Sequence, residues 1–234
     1  MTAGTGRPTP ADRRSFGEGP LARAAALVYT LLIVELLFLL TAGPGLVVLV
    51  LLDHDPSNIA LAALCAVPLG PALSAAVYAV ARRRLDLTDL RPAAAFWRGY
   101  RLNVAGVLRI WVPFLVVLTV LGVNLTHRDE IGAARWWATV LWLIAGVAVL
   151  WMVNALVITS LFAFRTVDVA RLAVYFLFHR AGVTLGAAGI VFAAVAATAI
   201  WSEAVAALLA SILVAALLLT ARPMTAEVEA RFTA

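Results

Sequence analysis

Long apolar runs, separated by short polar segments, dominate the pattern of this chain. An apolar run of about 18 residues or more is long enough to cross a bilayer as a helix. The pattern predicts about six such helices, over residues 24–51, 58–81, 103–124, 136–164, 181–200 and 204–221. The predicted fold class is therefore all-α, a polytopic membrane helix bundle.

Prolines and glycines inside the first three runs predict distorted helices, because proline lacks a backbone donor and bends or interrupts a helix. We therefore predict kinked spans 1 to 3, with Pro113 inside the third. Helix breaks are predicted at Gly43, Pro44, Gly45, Pro68, Gly70 and Pro71. No proline occurs between Pro113 and Pro223, so spans 4 to 6 should lack matching breaks. Matched breaks in both halves are typical of transporters with inverted repeats, so their absence counts against that class.

The polar segments predict the parts of the chain outside the spans. Residues 1–22 should form a flexible cytoplasmic tail, residues 23–221 the six-span transmembrane domain, and residues 222–234 a cytoplasmic C-terminal tail. Between spans 2 and 3, Pro92 suits a helix start. Aromatic residues then lie beside basic ones, which predicts a short cytoplasmic interfacial helix at the headgroup layer. Its residues are Phe96, Trp97, Arg98, Tyr100 and Arg101.

Positive charge predicts the topology. The chain has 18 arginines and no lysine, and all but Arg109, Arg128 and Arg135 lie in four segments, 7–23, 82–101, 165–180 and 222–231. Short cytoplasmic loops retain basic residues. The alternation therefore predicts six crossings with both the N- and C-termini in the cytoplasm and the 125–135 loop outside.

Composition supports a membrane protein, since 64% of the residues are hydrophobic and the mean hydropathy is +0.99. The net charge of +5 does not predict nucleic-acid binding, because the arginines are placed between spans and no basic groove with interleaved aromatics is visible. Abundant Ala, Arg, Leu and Val without Lys are typical of a GC-rich bacterial genome. We therefore predict a multi-pass protein of the bacterial cell (plasma) membrane.

Signatures of soluble enzymes are missing from the sequence. No glycine-rich phosphate loop, His-Glu-x-x-His or Gly-x-Ser-x-Gly motif occurs. The single cysteine, Cys65, lies in a span, and the three histidines are scattered. These observations predict a protein that is not an enzyme and that uses no metal and no cofactor.

Two charged residues inside the spans are the main candidates for chemistry. Glu35 lies twelve residues beyond Arg23, about 18 Å along a helix, among Leu, Val and Phe. Such an acid is a proton or cation site, or else a protonated or arginine-paired structural residue. Arg109 is its natural partner, or it extends its side chain to the inner headgroups.

Three further polar residues fall inside spans, Ser74 and Tyr78 in the second and Asn154 in the fourth. Groups of this kind usually form hydrogen bonds between helices, at roughly 1 kcal/mol each. The alternative is that they contact a substrate. Together with Glu35 and Arg109, they form the candidate intramembrane polar site.

Two stretches carry a resemblance to a known family. They are Pro-Leu-Gly-Pro-Ala-Leu-Ser-Ala-Ala-Val-Tyr-Ala at 68–79 and Phe-Trp-Arg-Gly-Tyr-Arg-Leu-Asn at 96–103. With the span count, they make the chain resemble the bacterial YesL-like (DUF624) family of integral membrane proteins, from about residue 24 to 221. The family has no established activity, and some members are encoded beside carbohydrate-transport genes. The resemblance implies an accessory role in sugar uptake and no catalytic residues.

Two functions therefore stay open. The first is a non-enzymatic accessory or regulatory protein, with the lipid bilayer and a membrane transport complex as its partners. The second is a small secondary transporter or channel that uses Glu35 and the broken second span. A membrane-embedded enzyme ranks last, because the spans hold too few polar residues at one depth. The sequence does not indicate the oligomeric state.

Overall fold

The computed structural model describes residues 20–53, 55–83, 91–127 and 135–232, and within these ranges the chain is helical with no strand. The α-helices are α1 (Pro20–Leu51), α2 (Ile59–Cys65), α3 (Leu69–Ala81), α4 (Pro92–Thr126), α5 (Arg135–Leu161), α6 (Thr166–His179), α7 (Ala181–Ile200), α8 (Glu203–Leu208) and α9 (Ala210–Phe232). The predicted all-α helix bundle is confirmed. Most of the predicted N-terminal tail and of the 125–135 loop lies outside the described residues.

Helix length and composition agree with about six spans. Five helices are long and apolar enough to cross a membrane, namely α1, α4, α5, α7 and α9. A sixth span results if the short 3-10 helix Pro56–Asn58, α2 and α3 count as one, bent by 41°. Large apolar side chains such as Leu32, Leu36 and Leu40 are exposed on the outside of the bundle. Lipid tails are as apolar as leucine and would cover such a surface.

The second span is broken where the prolines predicted it. α2 ends at Cys65, and α3 begins after Pro68, which is its N-cap residue. Pro71 falls in the first turn of α3, where a missing backbone N–H costs little. At the break, the carbonyl of Ala66 accepts hydrogen bonds from the backbone N–H of Leu69 at 3.2 Å and from the indole Nε1 of Trp111 at 3.0 Å. A neighbouring helix thus satisfies the interrupted backbone.

The predicted break at Gly43, Pro44 and Gly45 is corrected by the structure. α1 continues through all three residues to Leu51, and α4 likewise continues through Pro113. One proline removes a single hydrogen bond, which a long helix with intact turns on either side tolerates. Gly45 instead permits close packing, because a Cβ there would collide with the carbonyl oxygen of Cys65 at the end of α2.

The predicted separate interfacial helix is also corrected. Residues 92–102 are the first turns of α4, which runs for 35 residues, about 52 Å, without interruption. Helix formation begins at Pro92 as predicted, but no proline follows until Pro113 and Gly99 alone does not end the helix. The segment after α5, which was predicted to be an inner loop, forms α6, whose buried side chains are Val169, Ala173, Phe176 and Leu177.

The sixth span contains a break that the sequence did not predict. α8 ends at Leu208, Leu209 forms a turn, and α9 begins at Ala210. Neither proline nor glycine is present there. α9 then continues to Phe232, past residue 221 and through most of the segment predicted to be the C-terminal tail.

α3 lies at the centre of the bundle and packs against α1, α4, α5 and α9. Every residue from Ser74 to Val80 is buried. These residues are small or β-branched except for Tyr78, so neighbouring helices approach closely. The end of α3 meets the start of α4, and this end of the bundle carries Arg82, Arg83, Arg91 and Arg98. We call it the arginine-rich end.

Candidate functional site

The two sequence stretches that carry the family resemblance lie against each other in the structure. Tyr78 is near the end of the first stretch and Gly99 is in the second. A Cβ built on Gly99 would lie 2.7 Å from the Cβ of Tyr78, so only glycine fits this contact. Phe96, three residues earlier, is fully buried in the core that α1, α3 and α9 share. The resemblance therefore maps onto one helix–helix contact.

A cavity of about 480 Å³ opens beside this contact, at the arginine-rich end. We call it the arginine cavity. Its described lining contains four arginines and no acidic residue. α1 contributes Thr30, the end of α3 contributes Tyr78, Ala79, Arg82 and Arg83, and the start of α4 contributes Arg91, Pro92, Ala94, Ala95 and Arg98.

Local contacts hold two of the arginines in place. The guanidinium carbon of Arg82 lies 5.3 Å from the centroid of the Tyr78 ring, which is a cation–π distance. Nη1 of Arg83 donates to the backbone carbonyl of Val80 at 3.1 Å, near the C-terminal end of α3. Both contacts stabilise a cation near the negative end of a helix dipole.

A second cavity, of about 590 Å³, lies on the other side of the end of α3. It shares Arg82 and Arg83 with the arginine cavity and adds Arg222, Thr225 and Glu229 from α9. The two cavities place polar, charged surface around the end of the central helix.

Glu35 lies between α1 and α9 and contacts the break in the sixth span. Its Oε2 accepts a hydrogen bond from the backbone N–H of Ser211 at 2.7 Å, in the first turn of α9. The first N–H groups of a helix lack intrahelical acceptors, so this carboxylate acts as a cap supplied by another helix. Its Oε1 is buried and has no hydrogen-bond partner among the described residues.

Arg109 is not brought to Glu35. It is exposed on α4 and lines an apolar groove of about 660 Å³ between α4, α5 and α6. Its neighbours there include Pro113, Trp151 and Ala170. The structure therefore separates the two charged residues that the sequence suggested as a pair.

The other candidate polar residues are used within the bundle or at its end. The Ser160 hydroxyl donates to that of Ser74 at 2.8 Å, which joins α5 to α3. Asn154 is buried, and its Nδ2 has no partner among the described residues. Tyr78 lines the arginine cavity.

The aromatic and basic residues at the start of α4 face different surroundings. Phe96 is in the core, whereas the Trp97 side chain is 39% exposed and makes edge contacts with Phe96 and Tyr100. Arg98 faces the arginine cavity. Arg101, nearly one turn later, is exposed and outside the cavity lining.

Sequence reasoning missed a charged cluster at Glu227. This carboxylate is only 5% exposed, and Nε and Nη2 of Arg180 lie 2.8 and 2.6 Å from its Oε2. Nη1 of Arg231 and Nε2 of His179 lie 3.2 and 3.7 Å from its Oε1. The cluster joins the α6–α7 junction to α9. Only the spacing of four between Glu227 and Arg231 was visible in the sequence.

The described residues at the opposite end of the bundle include a group of acidic side chains. Asp55 accepts hydrogen bonds from the hydroxyl and the backbone N–H of Ser57, and these two donors lower the pKa of Asp55. A cavity of about 290 Å³ there is lined by Asp53, Asp55 and Glu203 among others. Across the described ranges, no three His, Cys, Asp or Glu side chains are grouped as metal ligands would be.

Comparison with known proteins finds a family model that matches part of the chain. The model of the family described as "Protein of unknown function, DUF624" matches residues 31–125, from the middle of α1 to the end of α4. No curated protein matches the chain. No solved structure matches it either. The match covers both stretches on which the resemblance was based, so residues 31–125 of this chain are similar to the DUF624 family.

Proposed function

We propose that this protein is a non-enzymatic accessory or regulatory component of a membrane transport system, with carbohydrate as the transported class. We further propose that it resides in the bacterial plasma membrane with both termini in the cytoplasm. The arginine distribution supports this orientation, because it gives the arginine-rich end a cytoplasmic position. The two cavities at the end of α3 would then be accessible from the cytoplasm.

One observation carries the proposal: several polar groups inside the spans bond to other helices, while basic and aromatic side chains are exposed at the arginine-rich end. Ser74 bonds to Ser160, Trp111 to the carbonyl of Ala66, and Asn103 to the carbonyl of Ser160. Such bonds hold a bundle together and leave few groups for a solute. Trp97, Arg98 and Arg101 instead point out of the core at one end, where a partner protein can reach them.

A small transporter or channel is the second candidate, and the surroundings of Glu35 favour it. Glu35 caps α9 at a break in the sixth span, and its Oε1 has no hydrogen-bond partner among the described residues. Helices interrupted inside the membrane are used by transporters to hold ions and substrates. The accessory role is preferred because Glu35 already has a structural partner.

Reconstitution separates the two candidates. The purified full-length protein would be placed in liposomes alone, and also together with the transport complex recovered with it from native membranes. We expect no solute uptake by the protein alone and a changed uptake rate by the complex when the protein is present. Uptake by the protein alone, abolished by Glu35→Gln, would establish the transporter instead.

A further inference from the structure

We propose that the arginine cavity is a binding site for a phosphate-type oxyanion, presented by a lipid headgroup or by a soluble phosphate compound. The proposal concerns a ligand and does not depend on the accessory role, because a transporter could hold the same anion.

Charge is the first reason. Arg82 and Arg83 come from the end of α3, and Arg91 and Arg98 from the start of α4, so the packing of two helices gathers four cations around one cavity. The described lining residues include no carboxylate. Like charges held together repel one another, and an anion bound among them would offset that repulsion. Basic pockets between membrane helices on the cytoplasmic side bind phosphate-bearing headgroups for this reason.

Geometry is the second reason. The guanidinium group presents several N–H donors in one plane and matches two oxygens of a phosphate. The Tyr78 ring positions Arg82, and among the described residues the hydrogen bond from Arg83 to Val80 uses one of that residue's five donors. Both side chains are therefore held near the cavity with donors available for a ligand.

The start of α4 is the third reason. Helices usually begin with a residue that caps the first N–H groups, such as Ser, Thr, Asp or Asn. Here the N-cap residue is Arg91, its side chain forms no capping hydrogen bond, and the first turn contains no acidic residue. Pro92, Ala94 and Ala95 of that turn line the cavity. A bound anion would lie at the positive end of the α4 dipole, which a capping acid normally occupies.

Size and position fit the same ligand class. A volume of about 480 Å³ lies within the range of roughly 300–1,000 Å³ that is usual for small-molecule sites. Trp97 and Tyr100 lie on the next turns of α4, and such rings mark the level of the headgroups in membrane proteins. The cavity can therefore receive a phosphate from the bilayer or from the aqueous side.

Binding by the full-length detergent-purified protein tests the proposal in two arms. In the soluble arm, the thermal midpoint is measured with inorganic phosphate against chloride at equal ionic strength. In the lipid arm, retention of phosphatidylglycerol is compared with that of phosphatidylcholine by native mass spectrometry. We expect binding in at least one arm. Binding in the lipid arm alone assigns a headgroup, and binding of inorganic phosphate in the soluble arm assigns a soluble compound.

Matched variants locate the site. Arg98→Gln and, separately, Arg82→Gln should each weaken binding by about tenfold, because each removes a charge-assisted hydrogen bond. Arg101→Gln removes the same charge from the same helix outside the cavity and should leave the affinity unchanged. Arg82 and Arg98 are both exposed, so the substituted proteins should fold. Melting curves recorded without anion would verify this.

Three results would overturn the proposal. The first is that the wild-type protein binds in neither arm. The second is that Arg98→Gln and Arg101→Gln weaken binding equally, which would indicate only general charge attraction. The third concerns Asp86 and Asp89, which lie in the sequence between Arg83 and Arg91 and outside the described residues. Binding that appears only after Asp86→Asn and Asp89→Asn would mean that the chain's own carboxylates occupy the cavity.

Discussion

At the scale of single residues, Glu35 shows how this bundle accommodates an acid inside an apolar span. An isolated carboxylate in the membrane is costly unless it finds a partner. Glu35 finds the N–H of Ser211, which would otherwise lack an acceptor at the start of α9. The acid and the helix break therefore satisfy each other, and neither needs Arg109.

Replacing Glu35 tests this arrangement. Glu35→Leu should lower the free energy of unfolding by about 1–3 kcal/mol, because it leaves a buried N–H without an acceptor. Glu35→Gln should cost less, since its amide oxygen can still accept from Ser211. Adding Arg109→Leu to Glu35→Leu should restore none of the lost free energy of unfolding. Thermal unfolding in detergent would measure all three, and recovery by Arg109→Leu would show that the two residues form a pair after all.

Glu227 gives a second prediction for single residues. Glu227→Gln should lower the melting temperature, because it removes the charge that faces Arg180, Arg231 and His179. Arg180→Gln should have a similar effect, and the double variant should lose less than the sum of the two. A double-mutant cycle on melting temperatures measures the coupling. Strictly additive losses would mean that Glu227 and Arg180 do not stabilise one another.

The sequence identifies such residues but not their partners. Glu35 stands out because an acid is rare in an apolar run. Its bond to Ser211 joins residues 176 positions apart, and backbone donors look alike in every sequence. The Glu227 cluster was missed for a related reason, because Arg180 and Glu227 are 47 positions apart in segments that each look like ordinary polar flanks.

At the scale of helices, the close contact between α3 and α4 depends on glycines, which have no side chain. Gly99 faces the Tyr78 side chain, and Gly70 faces the ring of Trp111, with built Cβ positions 2.7 and 2.5 Å from the nearest atoms. Glycine in a membrane helix often serves this purpose. Close approach of these two helices is also what gathers the arginines of the arginine cavity.

Glycine substitutions measure this contact. Gly99→Ala should lower the melting temperature, because its methyl group would overlap the Tyr78 side chain. Gly146→Ala is the matched control, since a Cβ there meets nothing within 4 Å and alanine favours a helix. The control should melt at the wild-type temperature or higher. Equal melting temperatures for the two variants would contradict close packing at Gly99.

The positions of the prolines predicted only some of the helix breaks. The second span breaks between Cys65 and Pro68, where Trp111 adds a hydrogen bond to the carbonyl of Ala66. Pro44 and Pro113 lie in helices that continue, so a proline indicates a weak point and tertiary contacts decide whether the helix breaks. The break at Leu209 has no proline or glycine. It is supported by Glu35, which the local sequence of that span does not reveal.

At the scale of the whole molecule, the ends of the bundle differ in charge. Arginines surround the end of α3, whereas Asp53, Asp55 and Glu203 line a cavity at the opposite end. Hydropathy was sufficient to predict the all-α bundle and its five or six candidate spans. It could not predict the cavities, because these form where residues from three or more helices meet.

Site-specific photo-crosslinking in native membranes tests most directly the claim that the protein assists a transport system through its arginine-rich end. A photoreactive amino acid would replace Trp97 at that end or, as the control, Trp201, which is 68% exposed beyond α7. The account predicts that position 97 crosslinks to an identified component of a transport complex and that position 201 does not. Crosslinks to such a component from position 201 alone, or from neither position, would contradict it.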